Sequence, residues 1–237
     1  MNKYDLSQKR ILFVGGKTGL DNAILSVLHE NMGVESCSEE THQLVVYDKL
    51  AIGEIETNIK CLVKETGPFD GVVFNIVHSD FRPLQFVKPE LVAEITNDNY
   101  SIFVEIVRSL KKCRGLNNGA SIVAMSSISS SRAMKAKMAF CASKAALDAA
   151  VRCLAVELAD KGIRVNSIQK GAVDVDAEKS HIQDVLAVRS EETTKDNEAP
   201  LGLVKANEIA ETVAFLLSDA VKTITGTTIV IDGGYLA

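Results

Sequence analysis

The sequence predicts an α/β fold, a doubly wound parallel sheet of about seven strands with helices on both faces, in a single domain over residues 1–237. Two observations carry this. Short apolar runs alternate with longer amphipathic stretches, the rhythm of strands buried on both faces and joined by crossover helices. A chain of 237 residues with 46% hydrophobic and 24% charged content also suits one domain with a full core.

Strands are expected at Arg10–Val14, Val34–Cys37, Gln43–Tyr47, Gly71–Asn75, Ser121–Met125, Arg164–Ile168 and Thr228–Ile231. Helices are expected at Leu20–Asn31, Ile52–Glu65, Pro89–Lys112, Lys137–Asp160 and Asn207–Ser218. Gly67-Pro68 and Lys161-Gly162 stop helices just before the next strand. The polar stretch Asp174–Pro200 reads either as a surface loop or as a lid over a substrate cleft.

The net charge of −5 offers no basic face for nucleic acid or an anionic membrane. No apolar run approaches the ~20 residues of a membrane helix. The opening MNKYDLSQKR has no apolar signal core, which points to the cytoplasm. The five cysteines are scattered without CxxC spacing, and the four histidines lack ligand spacing, so reduced thiols and no metal site are expected.

Two long segments carry the chemistry: FCASKAALDAAVRCLAVELADKGIRVNSIQKGAV, from Phe140 to Val173, and the ending ITGTTIVIDGGYLA. Both resemble the short-chain dehydrogenase/reductase family, with bacterial 3-oxoacyl-[acyl-carrier-protein] reductases the nearest flavour, and the resemblance runs nearly end to end. It implies a Rossmann-type sheet that binds NAD or NADP at its carboxyl edge. It also implies hydride transfer between the nicotinamide and a carbonyl or hydroxyl carbon, worked by an Asn, a Ser, a Tyr and a Lys.

Carried over residue by residue, the Asn is Asn99, the Ser is Ser127 at the end of IVAMSS, and the Lys is Lys144. The Tyr of the family's YxxxK falls on Phe140. Positions 140 and 144 share a helix face, so both look into the cleft. In the family the tyrosine gives the ketone oxygen its proton, and the lysine lowers the phenol pKa and holds the nicotinamide ribose. Phe140 keeps the ring without the proton, and losing a general acid typically costs ~10²–10⁴-fold in rate. Cys141 lies ~100° round the helix from Phe140 and reads as a packed thiol.

The resemblance places the dinucleotide against Gly15, Gly16, Lys17, Gly19, Asp48, Asn75, Lys144 and Val175, with Asp21 at the last glycine of the phosphate turn. Here the departures cluster. The turn reads GGKTGLDNA, one residue short, and Asp21 either caps the helix or puts a charge where pyrophosphate belongs. The family's NNAG-like motif reads Phe74-Asn75-Ile76-Val77, with branched side chains expected toward the adenosine. Val175 replaces a threonine that would bind the carboxamide. Gly33 to Asp70 leaves no room for an additional helix at the adenine wall; Glu39 and Glu40 there either hold a ribose or are solvated.

The leading expectation is therefore a degenerate, impaired or non-catalytic member that binds NAD or NADP weakly or not at all, and that pairs with an active reductase or binds another ligand. Two alternatives stand. One is a working NAD(P)-dependent carbonyl reductase whose proton comes from Tyr100, His78, or water held by Ser127 and Lys144. The other is a non-redox enzyme in which Ser127, Lys144 and Asn99 polarise a carbonyl. Apolar residues on more than one face of the helices Pro89–Lys112 and Lys137–Asp160 predict a homo-oligomer, dimer or tetramer.

Overall fold

The computed structural model describes residues 4–15, 18–33, 43–48, 51–174 and 199–237. Its six described strands are β1 (Ile11–Gly15), β2 (Leu44–Tyr47), β3 (Phe69–Asn75), β4 (Leu116–Ser127), β5 (Arg164–Lys170) and β6 (Thr228–Ile231). All pair in parallel, in the order β2-β1-β3-β4-β5-β6. The strand expected at Val34–Cys37 lies outside the described residues, as do Glu39 and Glu40.

The helices are α1 (Gly19–Met32), α2 (Ile55–Thr66), α3 (Pro89–Thr96), α4 (Ile102–Lys112), α5 (Met138–Glu157) and α6 (Ala206–Leu217). Successive strand residues point to opposite faces, so each strand feeds two cores. Leu12, Val72 and Ile122 pack with Phe103 and Ile106 of α4 and Leu147 and Val151 of α5. Phe13, Val73 and Val123 pack with Ile24 and Leu28 of α1 and Val213 and Leu217 of α6. The apolar runs in the sequence are continuous because both sides of the sheet are covered.

The single helix expected over Pro89–Lys112 is interrupted. A π-helical turn, Asn97–Ser101, separates α3 from α4 and carries Asn99 wholly inside the protein. Hydrophobic periodicity cannot register this, because helical turns on both sides keep their apolar faces. Such turns often coincide with functional positions.

The chain steps from β1 outward to β2 and then back across β1 to β3. The carboxyl ends of β1 and β3 therefore part, and ligands of open α/β sheets bind at that switch point. α6 reaches the sheet closely because β3 has glycine at position 71. A Cβ there would meet Leu217 Cδ2 at 2.9 Å and Ile11 Cγ1 at 3.2 Å. Gly71→Ala should overpack this contact and destabilise the protein by about 1–3 kcal/mol, measured as a lower denaturation midpoint with an unchanged denaturant slope.

Candidate active site

At the switch point the start of α1 is tied to the end of β3. Thr18, and not Asp21, is the N-cap: its hydroxyl accepts from the Asp21 amide at 3.2 Å. Asp21 answers as the third helical residue. Its Oδ2 accepts from the Thr18 N–H and Thr18 Oγ1, each at 2.8 Å. Its Oδ1 accepts from Asn75 Nδ2 at 2.6 Å. With 1% of its surface exposed, the carboxylate is turned inward, so it does not occupy the approach to the helix end. Gly15 is required beside it, since a Cβ would fall 2.4 Å from the Phe13 ring and 2.8 Å from Asp21 Oδ1.

The second half of the site gathers on α5. Lys144 has no exposed surface, and its Nζ donates to the backbone carbonyls of Ile76 at 3.0 Å and Met125 at 3.1 Å. Burial, then the charge of Lys170, push its pKa down to about 7, while Asp148 acts in the opposite direction. Phe140 is buried one turn earlier, and its ring lies 5.6 Å from the Lys137 ammonium. Asn99 joins this group through Ser143: its Nδ2 donates to Ser143 Oγ at 3.0 Å and to the His78 carbonyl at 2.7 Å, and its Oδ1 accepts the His78 N–H at 2.9 Å. Ser127 stands partly exposed at the end of β4, its hydroxyl accepting from the Ser129 amide at 3.2 Å. Phe140, Lys144, Asn99 and Ser127 thus converge at the carboxyl ends of β3 and β4.

Other expected residues fall elsewhere. Ile76 packs into the core beside α4 and α5, so it does not face the adenosine side; Val77 is exposed. Asp48 follows β2 and is exposed, Cys141 is half-buried, and Gly19 opens α1. Gly16, Lys17, Val175 and most of the Asp174–Pro200 stretch lie outside the described residues.

Three features escaped the sequence. Asp98, on the π-helical turn, meets His78 Nδ1 at 2.8 Å. Gln169 donates to Asp148 Oδ2 at 2.8 Å and to Ser130 Oγ at 2.6 Å, bracing the end of β5 against α5. Lys170 pairs in register with Ser127, bringing a second amine toward Lys144. Polar residues inside otherwise apolar motifs were the available signal.

The family model described as enoyl-(acyl carrier protein) reductase matches residues 24–236. The chain belongs to the short-chain dehydrogenase/reductase family. It is 30% identical to the Rickettsia conorii 3-oxoacyl-[acyl-carrier-protein] reductase FabG over 244 residues, covering 98% of each chain. It is 32% identical to the uncharacterized oxidoreductase YmfI of Bacillus subtilis over 176 residues, 71% of this chain and 67% of that one. A short chain dehydrogenase family protein from Francisella tularensis superposes with a TM-score of 0.81 at 29% identity, covering 96% of this chain and 99% of that one. A Pseudomonas aeruginosa short chain oxidoreductase with an atypical catalytic center, determined with NADPH bound, has the same fold, with a TM-score of 0.80 at 23% identity and 98% coverage of both chains.

Short-chain dehydrogenase/reductases are NAD(P)-dependent oxidoreductases, and the described residues fit a dinucleotide in placement. The Gly19 and Leu20 amides at the start of α1 have no acceptor among the described residues, which suits a phosphate. Asn75 Oδ1 is buried without a partner, which suits a hydroxyl donor. These two places would hold the phosphates and a ribose. Bound there, the cofactor supplies a hydride.

Lys144 gives the site a pH signature. The native protein binds fewer protons than the unfolded chain between the native value of about 7 and the ordinary 10.5, so stability rises with pH across that window. The contribution is ~1.4 kcal/mol per pH unit for a single proton. Lys144→Met should remove that rise, so the parent's unfolding free energy should climb relative to the variant's between these two values. Parallel curves would contradict the assignment.

Proposed function

We propose that this short-chain dehydrogenase/reductase has lost the tyrosine route of carbonyl reduction and retains at most slow carbonyl chemistry with a weakly held NAD or NADP. One observation supports this above the others. Lys144, the residue the family uses beside its tyrosine, is fully buried and spends its ammonium on two backbone carbonyls, with Phe140 next to it. A lysine so placed cannot reach a ribose without leaving its acceptors, and Phe140 has no proton to give. Lys144 then acts as a staple between the sheet and α5.

The same reading accounts for Asp21. Its carboxylate is satisfied by Thr18 and Asn75, so it strengthens the turn. It still places negative charge behind the amides that a pyrophosphate would use, at an energy that an effective dielectric of ~20 keeps to a few kcal/mol.

Phe140→Tyr should raise reduction of a simple ketone or 3-oxoacyl thioester by at least ~10²-fold, read as NADH or NADPH oxidation with cofactor in excess. The gain should vanish in Phe140→Tyr with Lys144→Ala. A parent that already turns over as fast as the tyrosine variant would contradict the reading.

We also place a second copy of the chain on α5. Met138, Ala142, Ala145, Ala149, Cys153 and Val156 form an exposed, apolar stripe along it, the spacing of one helix face. Light scattering should return a dimer or tetramer, and Ala149→Glu should shift it toward monomer. A parent monomer at micromolar concentration would contradict this.

A further inference from the structure

With the tyrosine absent, a carbonyl oxygen reduced in this cleft needs another proton source, and just past β3 an imidazole stands paired with a carboxylate. His78 lies beyond Ile76, whose carbonyl holds Lys144, and its side chain is 35% exposed. Its ring Nδ1 meets Asp98 Oδ2 at 2.8 Å. Its backbone is clamped at both ends by the side chain of Asn99, which also bonds Ser143, the neighbour of Lys144. The imidazole is therefore carried on a fixed backbone at the carboxyl edge of the sheet, oriented by a carboxylate. Nε2 has no hydrogen-bond partner among the described residues.

We propose that His78, oriented by Asp98, is the catalytic proton donor to a carbonyl oxygen bound at the end of β3; this rests on the reading that Phe140 closes the tyrosine route. A carboxylate accepting from Nδ1–H leaves the opposite nitrogen, Nε2, to serve as the acid. In the step, a hydride from reduced NAD or NADP bonds to the carbonyl carbon. The C=O π pair moves to oxygen and takes the Nε2 proton, giving an alcohol and a neutral imidazole. Water at the exposed edge of the ring then returns the proton. Alcohol oxidation runs the same transfers backwards. Tyr100, on the same turn, has no side-chain partner among the described residues to orient it in this way.

The site would suit a substrate whose carbonyl sits nearer β3 than the tyrosine route demands, so the two routes are separable by mutation. The test uses the full chain, ethyl acetoacetate as carbonyl probe and excess NADH or NADPH, comparing parent, His78→Gln, Phe140→Tyr and the double variant. His78→Gln should lower the parent's slow turnover ~10²-fold yet change the Phe140→Tyr rate by less than about threefold. Gln keeps the backbone amide and carbonyl that Asn99 clamps, and thermal melts check that the fold survives. A second readout is independent of turnover. Nitrogen-15 spectra should show neutral His78 protonated on Nδ1, and Asp98→Asn should abolish that preference. Parent turnover that is absent or insensitive to His78→Gln would overturn the proposal, as would an Nε2–H ring or an equal loss in both backgrounds. Failure of the reading beneath it looks different: Phe140→Tyr would then bring no gain, whatever His78 does.

Discussion

An ammonium group with no access to water must find acceptors inside the protein, and Lys144 finds them on the backbone beyond β3 and near the end of β4. Two strand ends and α5 are fixed to each other through that one atom. Leaving such a group without acceptors carries a large desolvation cost, so the positions of Ile76, Met125 and α5 are mutually constrained. Everything else at the carboxyl edge is arranged around this staple. Phe140 covers it from the preceding turn, Ser143 beside it receives Asn99, and Asn99 in turn fixes the backbone of His78.

The same economy holds at the other half of the cleft. Asp21, which the sequence places against the cofactor phosphates, is consumed by Thr18 and Asn75. Buried polar groups are nearly always paired, and in this protein most of the pairing is internal. Polar side chains that bond one another hold a fold in place but have less to offer a ligand. Among the described residues, groups at this edge that remain available to a ligand include Asn75 Oδ1, the first amides of α1, and the open edge of His78.

Much of the fold was legible because its sheet is covered on both faces, which writes unbroken apolar runs such as Ile11–Val14 and Val72–Phe74 into the chain. The strand ends were less legible. β4 runs from Leu116 to Ser127, beyond its apolar centre: its end stays paired with β5 through Ser126 and Ser127, and its start pairs Leu116 with Phe69 across a register shift. The π-helical turn at Asn97–Ser101 was invisible to periodicity, since it adds backbone without changing which face is apolar. At the site, the family resemblance singled out Asn99, Ser127, Phe140 and Lys144 as candidates. The resemblance could not tell that Lys144 points into the protein, that Ile76 turns to the core, or that Asp98 reaches His78, because those depend on neighbours far apart in the chain.

We propose that a family site has been turned inward, its polar groups satisfied by one another at the expense of the dinucleotide. Calorimetric titration of the parent protein with NADH and with NADPH tests this most directly. Dissociation constants near or above ~1 mM are expected, a binding free energy of about −4 kcal/mol or weaker. A micromolar constant for either dinucleotide, worth about −8 kcal/mol, would contradict it.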